Sequence, residues 1–303
     1  MKVLVLYTTS VAAVGAGRSA SEFDLSQAAA AIACALGGAQ LAGVSGQAHE
    51  IMAILDSQHP DVVFNLCEAP LGRPDLESHV AALLEWRGVR FTGCGSETLA
   101  LCRRKDRTKA VLAAAGAPVP RDGGFPCIVK PADQDGSAGI DAQSVCADAA
   151  ALEYARARMA GPVIVEEFLP GQEFVISLWG RTNPDHVSIG EVFFDNGLRL
   201  FTYAAKWDLD SADYRNSLLH YDTPIAPALR EALVLVAQLA WHAVGARGYL
   251  RLDIRLDATG VPRVLDVNPN PEVSPEVGMH RAVTEVGWSW ERFVRQQVEW
   301  ART

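Results

Sequence analysis

With 303 residues, 49% of them apolar and a mean hydropathy of +0.08, the chain is long enough for two or three domains and reads as soluble and globular. Its net charge of −9, with no Lys/Arg stripe to offset it, argues against a nucleic-acid partner, and no apolar run approaches the ~20 residues of a membrane span. The six cysteines form no C-x-x-C pair, which argues against a disulfide framework or zinc site and for reduced thiols in a cytoplasmic protein.

Met1-Lys-Val-Leu-Val-Leu-Tyr7 lacks a signal-peptide cleavage site and reads as a first buried strand. A Gly/Ala/Ser loop, an Ala-rich helix from about Asp24 and a strand over 60–66 follow. The spacing of Leu76, Val80, Leu83 and Leu84 predicts a helix over 75–87 that stops at Gly88. A basic helix over 103–115 comes next, then a strand over 125–130 and a helix over 148–160 with Asp148 as N-cap. Strands over 163–168 and 172–179 are expected to pair as a hairpin around Pro170-Gly171. Further strands (187–193, 198–204), a polar loop (206–222), a helix over 227–244, a strand pair over 249–268 and an amphipathic helix over 288–301 complete the chain. This order predicts three units: an N-terminal α/β domain over 1–94, a central α+β domain over 95–180 and a C-terminal α+β domain over 181–303.

Gly15-Ala-Gly17-Arg-Ser-Ala20 fits a dinucleotide-binding G-x-G-x-x-A, but "AQLAGVSGQ", about 20 residues further on, offers no acid to hold a ribose, and the first acid after it is Glu50. A phosphate site further along has more to support it. "CRRKDRTK" puts Lys105 near a helix start, and "FPCIVKPADQDGSAGI" puts Lys130 at a strand end. The small residues after it, Ser137 among them, let backbone N–H groups close around phosphate oxygens. "VIVEEFLPGQEF" carries Glu166, Glu167 and Glu173, of which adjacent Glu166 and Glu167 point to opposite faces. In "YLRLDIRLDATGVPRVLDVNPNP", Asp266 and Asn268 share one strand face and Asp253 reaches it from the neighbouring strand. Carboxylates there would be costly without a cation, and oxygen-only ligands suit Mg²⁺.

Taken together and in this order, the motifs resemble the ATP-grasp fold, and within it the D-alanine–D-alanine ligases. The resemblance implies ATP held between the central and C-terminal domains, with Mg²⁺, or Mn²⁺ in its place. "VGAGRSASEFDLS" is similar to the family's N-terminal substrate loop, which makes Glu22 the contact for the first substrate's ammonium. Lys105, Lys130 and, from "YAAKWD", Lys206 match its phosphate lysines. "VEEFLPGQEF" resembles its adenine–ribose segment, so Glu166, the backbone of Glu167 and Leu169 would bound adenine and Glu173 the ribose. Arg251, Asp253, Asp266 and Asn268 match its R-x-D and E-x-N strands, giving three metal ligands and an arginine for the oxyanion.

The implied chemistry joins a small-molecule carboxylate to an amine through an acyl phosphate, with ATP going to ADP and phosphate. The family pattern also implies a homodimer. The acceptor half departs from it: Asp266 replaces a glutamate, Trp207 a tyrosine and Val277 a serine, and Pro269-Asn-Pro-Glu272-Val-Ser274 replaces T-x-P-G-M-T. Ser274 keeps a hydroxyl for the second substrate, and Glu272 adds a negative charge beside it. An acceptor other than D-alanine is therefore expected. The alternatives are a cell-wall dipeptide ligase and a non-catalytic nucleotide-binding regulatory protein.

Overall fold

Val3–Thr8 forms β1, and its Leu4, Val5 and Leu6 are fully buried because apolar layers cover both faces of the strand. It lies between β2 (Gln40–Val44) and β3 (Val62–Leu66), and β4 (Arg90–Phe91) completes a parallel sheet of order β2-β1-β3-β4. Leu4 and Leu6 pack with Ile51 and Leu55 of helix Ala48–Gln58 and with Val80 and Leu84 of helix Glu77–Trp86. Val5 faces Ala29 and Ile32 of helix Ser26–Ala35 and Phe293 and Val294 of the last helix, Trp290–Arg302. That last helix, expected in the C-terminal unit, thus returns to the first sheet, where Arg295 Nε also donates to the Ala35 carbonyl at 2.7 Å.

The computed structural model describes residues 1–9, 25–134, 136–137, 139–194, 199–200, 202, 211–276 and 278–303, without the side chains of residues 213 and 214. Glu22, Lys206, Trp207, Val277, the glycine-rich motif over 15–20 and most of the expected strand over 198–204 lie outside them. Among the described residues no helix is long and apolar enough to cross a membrane.

A small antiparallel sheet follows, in the order β6 (Val145–Cys146), β5 (Cys127–Pro131), β7 (Val163–Glu167). Cys127, Val129 and Cys146 pack on Ala155 of helix Ala149–Arg158, which Asp148 caps by accepting from the Ala151 N–H at 2.9 Å. The third sheet is antiparallel, of order β10 (Ser217–His220), β9 (His186–Phe194), β8 (Glu173–Gly180), β11 (Gly248–Leu256), β12 (Pro262–Asn268). Phe174, Ile176, Leu250, Leu252 and Ile254 alternate onto one face, where Leu233, Val236 and Ala237 of helix Pro227–Ala243 bury them.

The hairpin expected between 163–168 and 172–179 does not form. β7 pairs with β5, whereas β8 pairs with β9 and β11. The Pro170-Gly171 corner is a crossing between two sheets, so a boundary at 180 would cut β8 from β9. Gly171 is required there, because a Cβ would fall 2.5 Å from the Leu256 carbonyl oxygen. The unexpected elements include β10, which lies within the expected polar loop over 206–222, helix Gly278–Glu285, β2, helix Ala48–Gln58 and helix Ser96–Cys102. The last is separated from helix Lys105–Ala114 by extended Arg104, so the basic helix starts at Lys105 and not at 103.

Candidate active site

The face of the five-stranded sheet turned away from helix Pro227–Ala243 carries the polar residues in rows. The register aligns Ser188, Ser177, Arg251 and Asn268 in one row, and Gly190, Val175, Asp253 and Asp266 in the next. A third row places Val192 beside Glu173 and Arg255. Asp253 and Asp266 are therefore direct cross-strand neighbours. One residue beyond them the ladder slips, with Ile254 opposite Val264, so β12 carries Leu265 as an extra residue. That bulge lets Leu265 and Asp266 both line the cleft while Val264 and Val267 both stay in the core.

The cleft, open to solvent, lies between this face and the three-stranded sheet. Lys105, Lys130, Ser137, Glu167, Leu169, Glu173, Asp253 and Asp266, all singled out in the sequence, line it together. Ile128, Phe168 and Leu265 add apolar walls.

Its charges are arranged as pairs. Lys105 Nζ stands 2.9 Å from each oxygen of Asp266, and Arg251 Nε lies 3.2 Å from Asp253 Oδ1. The Asp253 carboxylate raises the Arg251 guanidinium above its usual range, against the effect of burial. Arg255, buried beside Glu173 at 3.6 Å, donates to the Gly171 carbonyl at 3.2 Å and lies against the rings of Phe168 and Phe194. It ties the sheet-crossing segment to β11. Burial pushes the Arg255 guanidinium down from its usual value.

Glu166, expected at the adenine, is not among the residues that line the cleft. It stands across from Ile128 on β5 but is only 2% exposed. One carboxylate oxygen pairs with Lys109 and the other lies 3.2 Å from Lys130 Nζ. Burial alone would raise its pKa, yet the two ammonium groups hold it below the ordinary carboxylate range. A carboxylate this deep offsets its lost hydration by taking both cations, which leaves it behind the cleft wall. Glu167 instead accepts from Arg121 at 2.6 Å, and that contact lowers its pKa.

The acceptor-side candidates are more dispersed. Asn268 shares a row with Arg251, and its Oδ1 accepts from the Asn270 N–H at 2.9 Å. Asn270 in turn bonds Glu77 at 2.6 Å and Tyr249 Oη at 3.3 Å, joining the third sheet to the first unit. Ser274 is half-buried and Glu272 exposed, and neither lines the cleft. Two functional candidates escaped the sequence reading. Lys109 is four residues past Lys105 on the same helix face, and Arg255 two past Asp253 on the same strand face, so periodicity alone could have found both.

Asp253, Asp266 and Asn268 offer only oxygen donors on one face, a set that fits Mg²⁺. Among the described residues no group of three His, Cys, Asp or Glu side chains is placed to hold a metal, so any ion here would take the amide and ligand oxygens as well.

The chain is similar in sequence and in fold to known proteins. The chain is 29% identical over 306 residues to the D-alanine–D-alanine ligase of Stutzerimonas stutzeri (strain A1501), covering 94% of this chain and 91% of that protein. It is also 29% identical over 268 residues to the D-alanine–D-alanine ligase of Caulobacter sp. (strain K31), covering 82% and 80%. The solved structure of the Bacillus anthracis D-alanine–D-alanine ligase complexed with ATP superposes with a TM-score of 0.74, at 16% identity, over 99% of this chain and 97% of that one. This likeness establishes the fold as the one expected, the ATP-grasp fold of these ligases. Residues 99–299 match the family model described as D-ala D-ala ligase C-terminus, and by that match the chain belongs to this ligase family.

Proposed function

We propose that this protein is an ATP-dependent carboxylate–amine ligase. The observation that carries the reading is the cleft between two sheets, where Lys105 and Lys130 meet the cross-strand carboxylates Asp253 and Asp266. Ile128, Phe168 and Leu169 supply apolar contact for a base, and Glu173 an acceptor for ribose hydroxyls. A substrate carboxylate oxygen attacks the γ-phosphorus of ATP, the bond to the β-phosphate oxygen breaks, and ADP leaves. An amine then attacks the acyl carbonyl, loses a proton and expels phosphate as the amide forms. Lys105 and Lys130 hold the phosphate oxygens, and Arg251, oriented by Asp253, donates to the oxyanion that forms at the carbonyl. Magnesium held by Asp253, Asp266 and Asn268 would neutralise phosphate charge.

For the acceptor we propose a molecule with no free α-carboxylate at the second-substrate position, or one that presents a cationic amine there. Glu272 is exposed and outside the cleft lining, so the reading is carried by its charge and its place four residues past Asn268 in the chain. At ~4 Å and an effective dielectric near 20, a second carboxylate would be repelled by about 4 kcal/mol. The test is ADP release with a panel of D-amino acids and amines. D-Alanine should be a poor second substrate, and a highest kcat/KM for D-alanine with D-alanine would make this an ordinary dipeptide ligase. If no substrate pair stimulates ADP release, the ligase reading fails and a nucleotide-binding regulator remains.

A further inference from the structure

Helix Lys105–Ala114 delivers two ammonium groups one turn apart, and only the first reaches the cleft lining. The second, Lys109, is buried behind it. Its ammonium pairs with Glu166 Oε1, while Lys130 Nζ lies 3.2 Å from Glu166 Oε2. Lys109 and Glu166 side chains are 12% and 2% exposed, and Lys130 is 10% exposed at the cleft wall. One carboxylate is thus shared by two lysines, each on its own oxygen.

We propose that Lys109 is a positioning residue for nucleotide binding, which occupies half of Glu166 and so leaves the charge of Lys130 available to a phosphate. The inference rests on the ligase reading and adds a residue that does not touch substrate. A Lys130–Glu166 pair alone is neutral and would attract a triphosphate weakly. Adding Lys109 makes the buried group +1, and the one member of it that borders the cleft is Lys130. Burial and the neighbouring Lys130 push the Lys109 ammonium down to about 8, against the pull of Glu166, so it still carries its charge at pH 7. Buried triads can be purely structural, or even costlier than an apolar core. The two roles differ in what a second substitution does.

The experiment is calorimetric titration of a non-hydrolysable ATP analogue with Mg²⁺ into the full-length protein and its variants at pH 7. The net charge of the group is +1 in the wild type, 0 in Lys109→Met, +2 in Glu166→Gln and +1 in the double variant. If charge is what matters, Lys109→Met weakens binding by about tenfold or more. The double variant and Lys109→Arg then both return to within about threefold of wild type. A structural role predicts the opposite, with the double variant as weak as Lys109→Met or weaker, and that result overturns the proposal. Unchanged affinity in Lys109→Met overturns it too. If Lys109→Met does not fold, the double variant and Lys109→Arg decide the question by themselves. A wild type that binds no analogue overturns both this inference and the ligase reading, whereas tight wild-type binding with the wrong variant pattern overturns the inference alone.

Discussion

Lys105 and Asp266, 161 residues apart in the chain, form a bidentate contact with both oxygens 2.9 Å from one ammonium. The same carboxylate is a candidate metal ligand and the same lysine a candidate phosphate contact. Asp266 is 32% exposed, which puts the pair near the surface value of about 1 kcal/mol. Lys105→Met should therefore tighten Mn²⁺ binding in the absence of nucleotide by about fivefold. It should also weaken the ATP analogue. Mn²⁺ affinity measured by electron paramagnetic resonance checks this, and an unchanged affinity means that the lysine does not compete with the metal.

Arg251 should matter to the reaction more than to nucleotide binding. Its guanidinium is held beside Asp253, one row away from the Asp253–Asp266 pair. Loss of a fixed donor to a developing oxyanion costs about 10²–10³ in kcat. Arg251→Lys should show that loss while the Kd of the ATP analogue stays within about threefold. A comparable loss in both quantities would move Arg251 from the reacting carbonyl to the phosphates.

Arg255 and Glu173 form a buried pair, with side chains 4% and 7% exposed. Removing one member leaves the other charged and without its main partner, at a cost of about 3–5 kcal/mol. Arg255→Met should lower stability by that amount in urea unfolding, and adding Glu173→Gln should recover part of it. Additive losses in the double variant would show that Arg255 acts chiefly through its contacts to Gly171 and the two phenylalanines.

Asp257 sets acid stability at the β11–β12 turn. Burial would raise its pKa, but donors from Thr259, the Val261 N–H and Arg263 reverse this and leave it far below the ordinary carboxylate value. A depressed folded-state pKa contributes stability that is fully present above the unfolded pKa of about 4 and is lost as pH falls below it. Asp257→Asn should therefore be less stable at pH 7 and show a smaller further loss between about pH 4 and pH 2 than the wild type. Parallel wild-type and variant curves through that window would exclude the linkage.

Local pattern carried a large part of this protein. Alternation placed Asp253 on the face opposite buried Leu252 and Ile254, and Asp266 and Asn268 on one face of the next strand, and the register agrees, although only the bulge at Leu265 turns that face to the cleft while Val264 stays in the core. The helices near 77–86, 105–114, 149–158, 227–243 and 290–302 were legible from apolar spacing and from Asp148 as a cap. The likeness of the motifs in their order pointed to the fold that the superposition establishes.

What sequence could not decide is which elements meet across the chain. Glu166 and Glu167 look alike in "VEEF", yet one is enclosed by two lysines and the other reaches Arg121 at the surface. Pro170-Gly171 reads as a hairpin turn, and only the pairing of β8 with β11, about 75 residues further on, turns it into a crossing between sheets. The return of the last helix onto β1 and the capture of Asp266 by Lys105 are of the same kind. Periodicity reports which face of an element is buried, but not what buries it. That choice is made by packing and charge pairing among residues far apart in the chain, where the desolvation of each buried ion is met only by the partner that the fold brings to it.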